Sequence, residues 1–266
     1  NIPKSVTSIG EAAFRRTFNL TSINVDAKNK EYKSIDGVLF SKDGTKLIEC
    51  PKGKNATYTI PDSVKEIDRC AFYFCSGLTS INVDARNPYL KSIDGVLFSK
   101  DGTELRKYPA GKKATNYIIP KSVTKIDWCA FYCCMGLTSV TIGNAVKEIS
   151  DSAFYFCSGL TSINVDARNP YLKSIDGVLF SKDGTKLLQF PIGKRETNYI
   201  IPKSVTSISN SAFEGCKGLT SVTIGNGVKE IAYGSFFRCS GLKEVTIPRR
   251  FDITDVFNED VKINRK

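Results

Sequence analysis

The thirty-three residues Ala71–Thr103 return letter for letter at Ala153–Thr185, and a looser copy runs from Ala13 to Thr45. Duplication at this fidelity means that one structural unit is reused, and it limits the chain to architectures in which units stack on their neighbours. At 266 residues the ordinary expectation is one or two globular domains. The repeat replaces that expectation with one extended body.

The finer period is set by Ile2, where Ile-Pro-Lys-Ser-Val-Thr-Ser-Ile begins. The pattern restarts at Ile60, Ile119, Ile142, Ile201 and Ile224, with a truncated start at Ile247-Pro248. Three steps are 23 residues and three are 58 or 59, so about 35 extra residues follow the first, second and fourth units. Within a unit Val6 and Ile9 precede Ala13-Phe14, and then Leu20, Ile23 and Val25 follow. The last three obey L-x-x-I-x-V, the strand signature of a leucine-rich repeat, with period-two alternation sending them inward. Leu78/Ile81/Val83, Leu137/Val140/Ile142, Leu160/Ile163/Val165, Leu219/Val222/Ile224 and Leu242/Val245/Ile247 repeat it. The intervening A-F-x-x-C-x-x-L segment suits a short helical turn with Ala and Phe inside.

The insertions are Ala27–Thr59, Ala85–Ile118 and Ala167–Ile200. Each carries Ser-Ile-Asp-Gly-Val-Leu-Phe-Ser-Lys-Asp-Gly-Thr, as at Ser34–Thr45, and closes on Pro-x-Gly-Lys, as at Pro51–Lys54. Asp43-Gly44, between Val38-Leu39-Phe40 and Leu47-Ile48, is a hairpin signal because Asp-Gly supplies the positive φ of a tight turn. The expected fold is a mainly β, right-handed leucine-rich-repeat solenoid of six repeats over 1–248, with three inserted β-hairpins. A C-terminal cap over 249–266, carrying Phe251, Ile253, Val256, Phe257 and Ile263, is expected to cover the last coil.

These residues, IPxSVTxI…AFxxCxxLTSVTI, closely resemble the BspA-like, or Treponema-type, leucine-rich repeat family over essentially all of 2–248. The resemblance implies a solenoid of bacterial or protist surface and secreted proteins, linked to adhesion and to binding host matrix and plasma proteins.

Chemistry is sparse in the sequence. Histidine is absent, which removes the commonest general base and zinc ligand. Nine cysteines are present; Cys75, Cys134, Cys157, Cys216 and Cys239 share one repeat position, held by Thr17 in the first unit, and read as small buried hydrophobes. Cys70, Cys129 and Cys133 are less regular and leave a single disulfide or metal site open, without any C-x-x-C pair. Asp36/Asp43, Asp94/Asp101 and Asp176/Asp183 bracket the hairpins as turn residues rather than in the register of a calcium loop. Asp26, Asp84 and Asp166 read as caps on the turn leaving the strand. No G-x-S-x-G elbow and no phosphate-binding glycine loop occurs, so no catalytic residue, metal or cofactor is expected.

What remains is surface. The strand face presents Ser22/Asn24, Ser80/Asn82, Ser139/Thr141, Ser162/Asn164 and Ser221/Thr223 as a polar ladder able to hydrogen-bond a protein strand or a glycan. Tyr32/Lys33, Tyr89/Lys91 and Tyr171/Lys173 recur at the hairpin bases, an aromatic-plus-basic grouping suited to recognition. A net charge of +11 serves solubility or draws acidic partners. The expected function is a non-enzymatic, monomeric, extracellular module, at the cell surface or secreted, that binds a host or neighbouring-cell protein. A basic glycan or polyanion binder and a structural spacer are the alternatives. Nucleic acid and membrane insertion are not expected. Asn1 opens inside a repeat, which reads as a piece of a longer chain.

Overall fold

The computed structural model describes residues 1–10, 13–15, 17–251 and 256–266. The chain forms two compact units, one of residues 1–113 and 126–134 and one of 114–125 and 135–266. In each, coils stack as a β-solenoid, and the Leu-x-x-Ile-x-Val segments supply parallel strands.

In the first unit Ala56–Ile60 pairs parallel with Leu78–Val83, placing Tyr58 beside Ile81 and Ile60 beside Val83. In the second, Asn116–Ile118, Ser139–Ile142 and Ser162–Val165 form one ladder. Asn198–Ile200, Ser221–Thr223, Glu244–Ile247 and Lys262–Arg265 form another. Equivalent residues lie side by side, so Tyr199, Val222, Val245 and Ile263 make one continuous row. Val222 and Val245 in that row are buried, and each such side chain withdrawn from water contributes about 1.5–3 kcal/mol. A single coil leaves both flanks of this row wet, which is why stability comes only with stacking.

Between the strands, the A-F-x-x-C segment folds as successive turns rather than a helix, and no helix occurs among the described residues. Tyr73 N–H donates to Cys70 O and Cys134 N–H to Phe131 O, each a bond spanning three residues. The turns cannot propagate because Phe74, Cys133, Phe156 and Arg238, at one repeat position, adopt positive φ of 55–60°. Ala71, Ala130, Ala153 and Ala212 are buried beside the Phe that follows each of them, as the period requires.

Each insertion has two hairpin turns where the Asp-Gly signal predicts one. Tyr32–Ile35, Val38–Ser41 and Lys46–Glu49 form an antiparallel three-stranded meander. Leu90–Ile93, Val96–Ser99 and Glu104–Lys107 repeat it, as do Leu172–Ile175, Val178–Ser181 and Lys186–Gln189. The tight turn is Asp36-Gly37, with both residues at positive φ (49° and 73°), as a two-residue hairpin of primed type requires. Asp43-Gly44 closes the second, longer loop. The meander is not an outgrowth. Val38, Leu39, Phe40 and Leu47 are fully buried, and Lys46–Glu49 continues in parallel to Glu66–Ile67 of the next coil.

A buried asparagine opens each insertion. Asn87 Nδ2 donates to Pro61 O and Val64 O at 2.9 Å, while its Oδ1 accepts from Tyr89 N–H and Leu90 N–H at 2.8 Å. Asn29 and Asn169 do the same in their own insertions. All four hydrogen-bonding positions of the amide are filled, so its burial carries no unmet polar group.

The C-terminal residues Phe251, Val256, Phe257 and Ile263 pack against the core of the last coils. Ile253 lies outside the described residues. No described helix is long and apolar enough to cross a membrane.

Candidate functional site

The strand face is divided into blocks. Ile81 N–H donates to Gly95 O at 2.8 Å and Ile163 N–H to Gly177 O at 2.9 Å, so the tight turn of each insertion docks on the edge of the preceding strand. A Cβ on Gly95 would lie 2.3 Å from Ser80 Oγ, and one on Gly177 would lie 2.8 Å from Ser162 Oγ. The outward residues also satisfy one another. Ser22 Oγ donates to Asn24, Ser80 Oγ to Asn82 and Ser162 Oγ to Asn164 at 2.8–3.0 Å. Ser139 Oγ donates to Asn116 and Ser221 Oγ to Asn198, both at 2.8 Å. Thr141 and Thr223 are half-buried beside them. In the second unit this leaves one block around Ser139, Thr141, Ser162 and Asn164 and another around Ser221 and Thr223. In the first unit Ser80 and Asn82 stand in a two-stranded block.

The three hairpin-base pairs differ in where their residues stand. Lys33, Lys91 and Lys173 lie half-buried near the acidic turns of their own meanders. In those turns Asp43, Asp101 and Asp183 are held down to about 2, first by the Ser41, Ser99 and Ser181 hydroxyls. Tyr89 and Tyr171 point outward, and Lys65 rather than Lys91 stacks over the Tyr89 ring, at 5.7 Å. Tyr32 is not their counterpart. It occupies the position of buried Leu90 and Leu172, and it packs into the first core cluster.

Cys75, Cys134, Cys157, Cys216 and Cys239 are buried thiols that form no disulfide. Burial pushes Cys216 well above the usual thiol value and Cys239 up to about 12, which removes their thiolate reactivity at neutral pH. Cys133 is likewise raised, to about 11. Among the described residues no cluster of three or more metal-ligating side chains forms. Asp26, Asp84 and Asp166 each accept the N–H of the residue two positions on, as turn caps do.

The turn face carries what the linear pattern concealed. In the first unit Tyr73 stacks on Tyr132 at 4.1 Å and tilts against Trp128 at 5.6 Å. Phe74 meets Tyr132 and Phe18 edge-on at 5.2 and 5.6 Å, and Arg69 lies over Trp128 at 5.8 Å. The Tyr73 hydroxyl lies 3.1 Å from Cys129 Sγ, and burial raises its pKa. Phe18 and Arg69 are exposed, while Tyr73, Phe74 and Trp128 are half-exposed. The second unit has a smaller counterpart. Arg238 lies over Phe156 at 5.5 Å and over Phe237 at 5.0 Å, and donates to Tyr155 Oη at 2.9 Å. Phe237 is half-exposed and Tyr233 is almost fully exposed. Phe74, Phe156 and Arg238 are kept at positive φ, a conformation that costs a non-glycine residue about 1–2 kcal/mol. Gly215 takes the same position strain-free in the fifth unit. The signal available in the sequence was the aromatic content of the two variable letters in A-F-x-x-C, which reads as ordinary repeat filling until the coils are stacked.

Stacked coils closed by Leu-x-x-Ile-x-Val strands define a leucine-rich-repeat protein. The chain belongs to the BspA type leucine rich repeat region family, which matches in six copies over residues 50–109, 109–198 and 193–259. The crystal structure of the pneumococcal vaccine antigen PcpA is similar over 99% of this chain and 61% of that one, at 23% identity and a TM-score of 0.54. The chain thus spans about 61% of that antigen. A leucine-rich repeat protein from Eubacterium ventriosum is similar over 97% of this chain and 78% of that one (19% identity, TM-score 0.49). A leucine rich cell surface protein from Faecalibacterium prausnitzii aligns over 93% and 88% (17% identity, TM-score 0.35). The family match and the likeness to PcpA establish the fold. Among curated proteins the chain has no match.

Proposed function

We propose that this chain is a non-enzymatic binding module of a bacterial surface or secreted protein, and that it attaches to proteins of the host matrix or plasma type through its turn face. The observation that supports this reading is the patch of Tyr73, Phe74 and Trp128 with Arg69, kept half-exposed although Phe74 carries a strained backbone. Trp, Tyr and Arg dominate the energetics of protein interfaces, where large rigid rings exchange water for contact at little entropic cost. The family to which the chain belongs supports the surface setting.

The test is a panel of immobilised fibronectin, fibrinogen, laminin, mucin and heparin, each at low and high salt. Saturable binding to a protein that persists at high salt, and that weakens at least tenfold in Trp128→Ala, is the expected result. A polyanion reading rests on the +11 charge and predicts instead heparin binding that collapses with salt through counterion release. Silence across the panel would leave the chain a spacer.

A further inference from the structure

The three insertions are natural variants of one unit, and one position differs in a way that opens a cavity. In the first, Lys46 on the third meander strand pairs with Asp68 of the next coil at 3.1 Å. In the second, the equivalent aspartate is Asp127, which pairs with Arg106 at 3.1 Å; Arg106 also pairs with Glu104 at 2.7 Å. Asp68, Asp127 and Ser209 share one backbone register, each donating its N–H to the equivalent strand residue, Leu47, Leu105 or Leu187. In the third insertion the cation is retained as Lys186 and the carboxylate is gone, replaced by the Ser209 hydroxyl.

A cavity of about 220 Å³ lies there, lined by Lys147, Lys186, Leu188, Gln189, Ser209 and Asn210 among others. Ser209 is nine-tenths buried, and its Oγ has no hydrogen-bond partner among the described residues. Of the two acids in the lining, Glu148 is paired by Lys125 at 2.9 Å, while Asp151 accepts from the neutral Asn210 amide at 3.2 Å and keeps its charge. Lys147 and Lys186 form no ion pair among the described residues. A buried hydroxyl without a partner and two exposed lysines outside any ion pair, all lining one cavity, make an anion-accepting arrangement. The other two copies show which anion fits the place. It is a carboxylate.

We propose that this cavity binds a carboxylate-bearing sugar, with the sugar carboxylate beside Lys186 where the Asp68 carboxylate stands beside Lys46. The volume falls below the roughly 300–1,000 Å³ of pockets for drug-sized ligands, which suits a single sugar residue. The Gln189 amide is turned to the backbone, donating to Phe190 O and Ala212 O, and the Asn210 amide donates to Asp151, which leaves Ser150 in the lining for ring hydroxyls and Leu188 for apolar contact to a ring face. No residue named in either aromatic patch lines the cavity.

The test is ligand-detected NMR on the full 266-residue chain with glucuronate, glucose, acetate and inorganic phosphate as probes. Glucuronate is expected to bind, glucose to fail for want of the carboxylate, and acetate and phosphate to bind at least tenfold more weakly for want of the ring. Ser209→Asp restores the carboxylate of the other copies and is expected to abolish glucuronate binding. Lys186→Ala, at an exposed position, is expected to weaken it at least tenfold, with the melting temperature of both variants monitored. Lys46→Ala, at a site closed by its own aspartate, and Trp128→Ala, in the other unit, are expected to leave binding unchanged. Equal binding of glucose, preference for phosphate, an acidic peptide outcompeting glucuronate, or full binding by a folded Ser209→Asp chain would each overturn the proposal. So would the absence of glucuronate binding at millimolar concentration.

Discussion

Asn29, Asn87 and Asn169 show how a single buried side chain ties one coil to the next. Asn169 alone joins Gly143 O and Val146 O to the N–H groups of Tyr171 and Leu172. Asn169→Ala leaves four buried backbone groups to find other partners, and at about 1 kcal/mol each it is expected to cost about 3–5 kcal/mol in urea denaturation. The Glu49–Lys52 pair, buried on both sides, behaves differently. Burial pushes Glu49 up to about 7 against the pull of Lys52. An acid raised in the folded state withdraws stability as pH climbs from its unfolded value near 4.5 to about 7. Glu49→Gln with Lys52→Ile copies Gln189 and Ile192 of the third insertion, and is expected to be neutral or stabilising and to flatten that slope. Lys52→Ala alone removes the pull that keeps Glu49 charged, so the carboxyl takes up a proton near neutral pH, and the loss is expected to be about 1–3 kcal/mol and to grow as pH rises. The turn aspartates act in the opposite sense. Asp43, Asp101 and Asp183 sit at about 2 in the folded chain, so their contribution is complete above pH 4 and is lost as pH falls toward 2. Thermal melts at pH 2, 3 and 5 check this, with Asp183→Asn expected to show a smaller fall.

At the scale of elements, the meander shows where sequence reading succeeds and where it stops. The Leu-x-x-Ile-x-Val strands were legible because alternation and the 23-residue step agree, and the structure places Val140, Val222 and Val245 where the pattern puts them. A hairpin was legible at Asp43-Gly44. The tighter turn at Asp36-Gly37 carries the same dipeptide, yet it was read only as a flank, because Tyr32–Ile35 lacks the apolar run that announces a strand. That turn is the more constrained of the two. Gly95 has φ 73°, and a Cβ there would meet Ser80 Oγ at 2.3 Å and Ser80 Cα at 3.2 Å. Gly95→Ala is therefore expected to destabilise the first unit by about 1–3 kcal/mol, while Gly136→Ala, with open space around it, is expected to change little. Chemical denaturation followed by tryptophan fluorescence checks both. The larger aromatic patch was illegible for a topological reason: Tyr73 lies far in sequence from Trp128 and Tyr132 and meets them only when successive coils stack.

For the whole molecule, repetition is a template on which departures stand out. Copies that share one backbone show, residue by residue, which substitutions the fold tolerates; Gln189, Ser209 and Gly215 are such departures. Stability in a stack is approximately a sum of units and neighbour interfaces, so these local changes are expected to act nearly independently. Two faces are candidates for binding, the strand blocks that the alternation pattern favours and the turn-face aromatics that the fold assembles. The measurement that separates them most directly is the affinity of one captured host protein for the unmodified chain, for Trp128→Ala, and for Ser80→Lys with Asn82→Lys. The account predicts that Trp128→Ala loses at least tenfold, about 1.4 kcal/mol or more, while the strand-face variant binds as the unmodified chain does. Binding that survives Trp128→Ala but fails in the strand-face variant would contradict it.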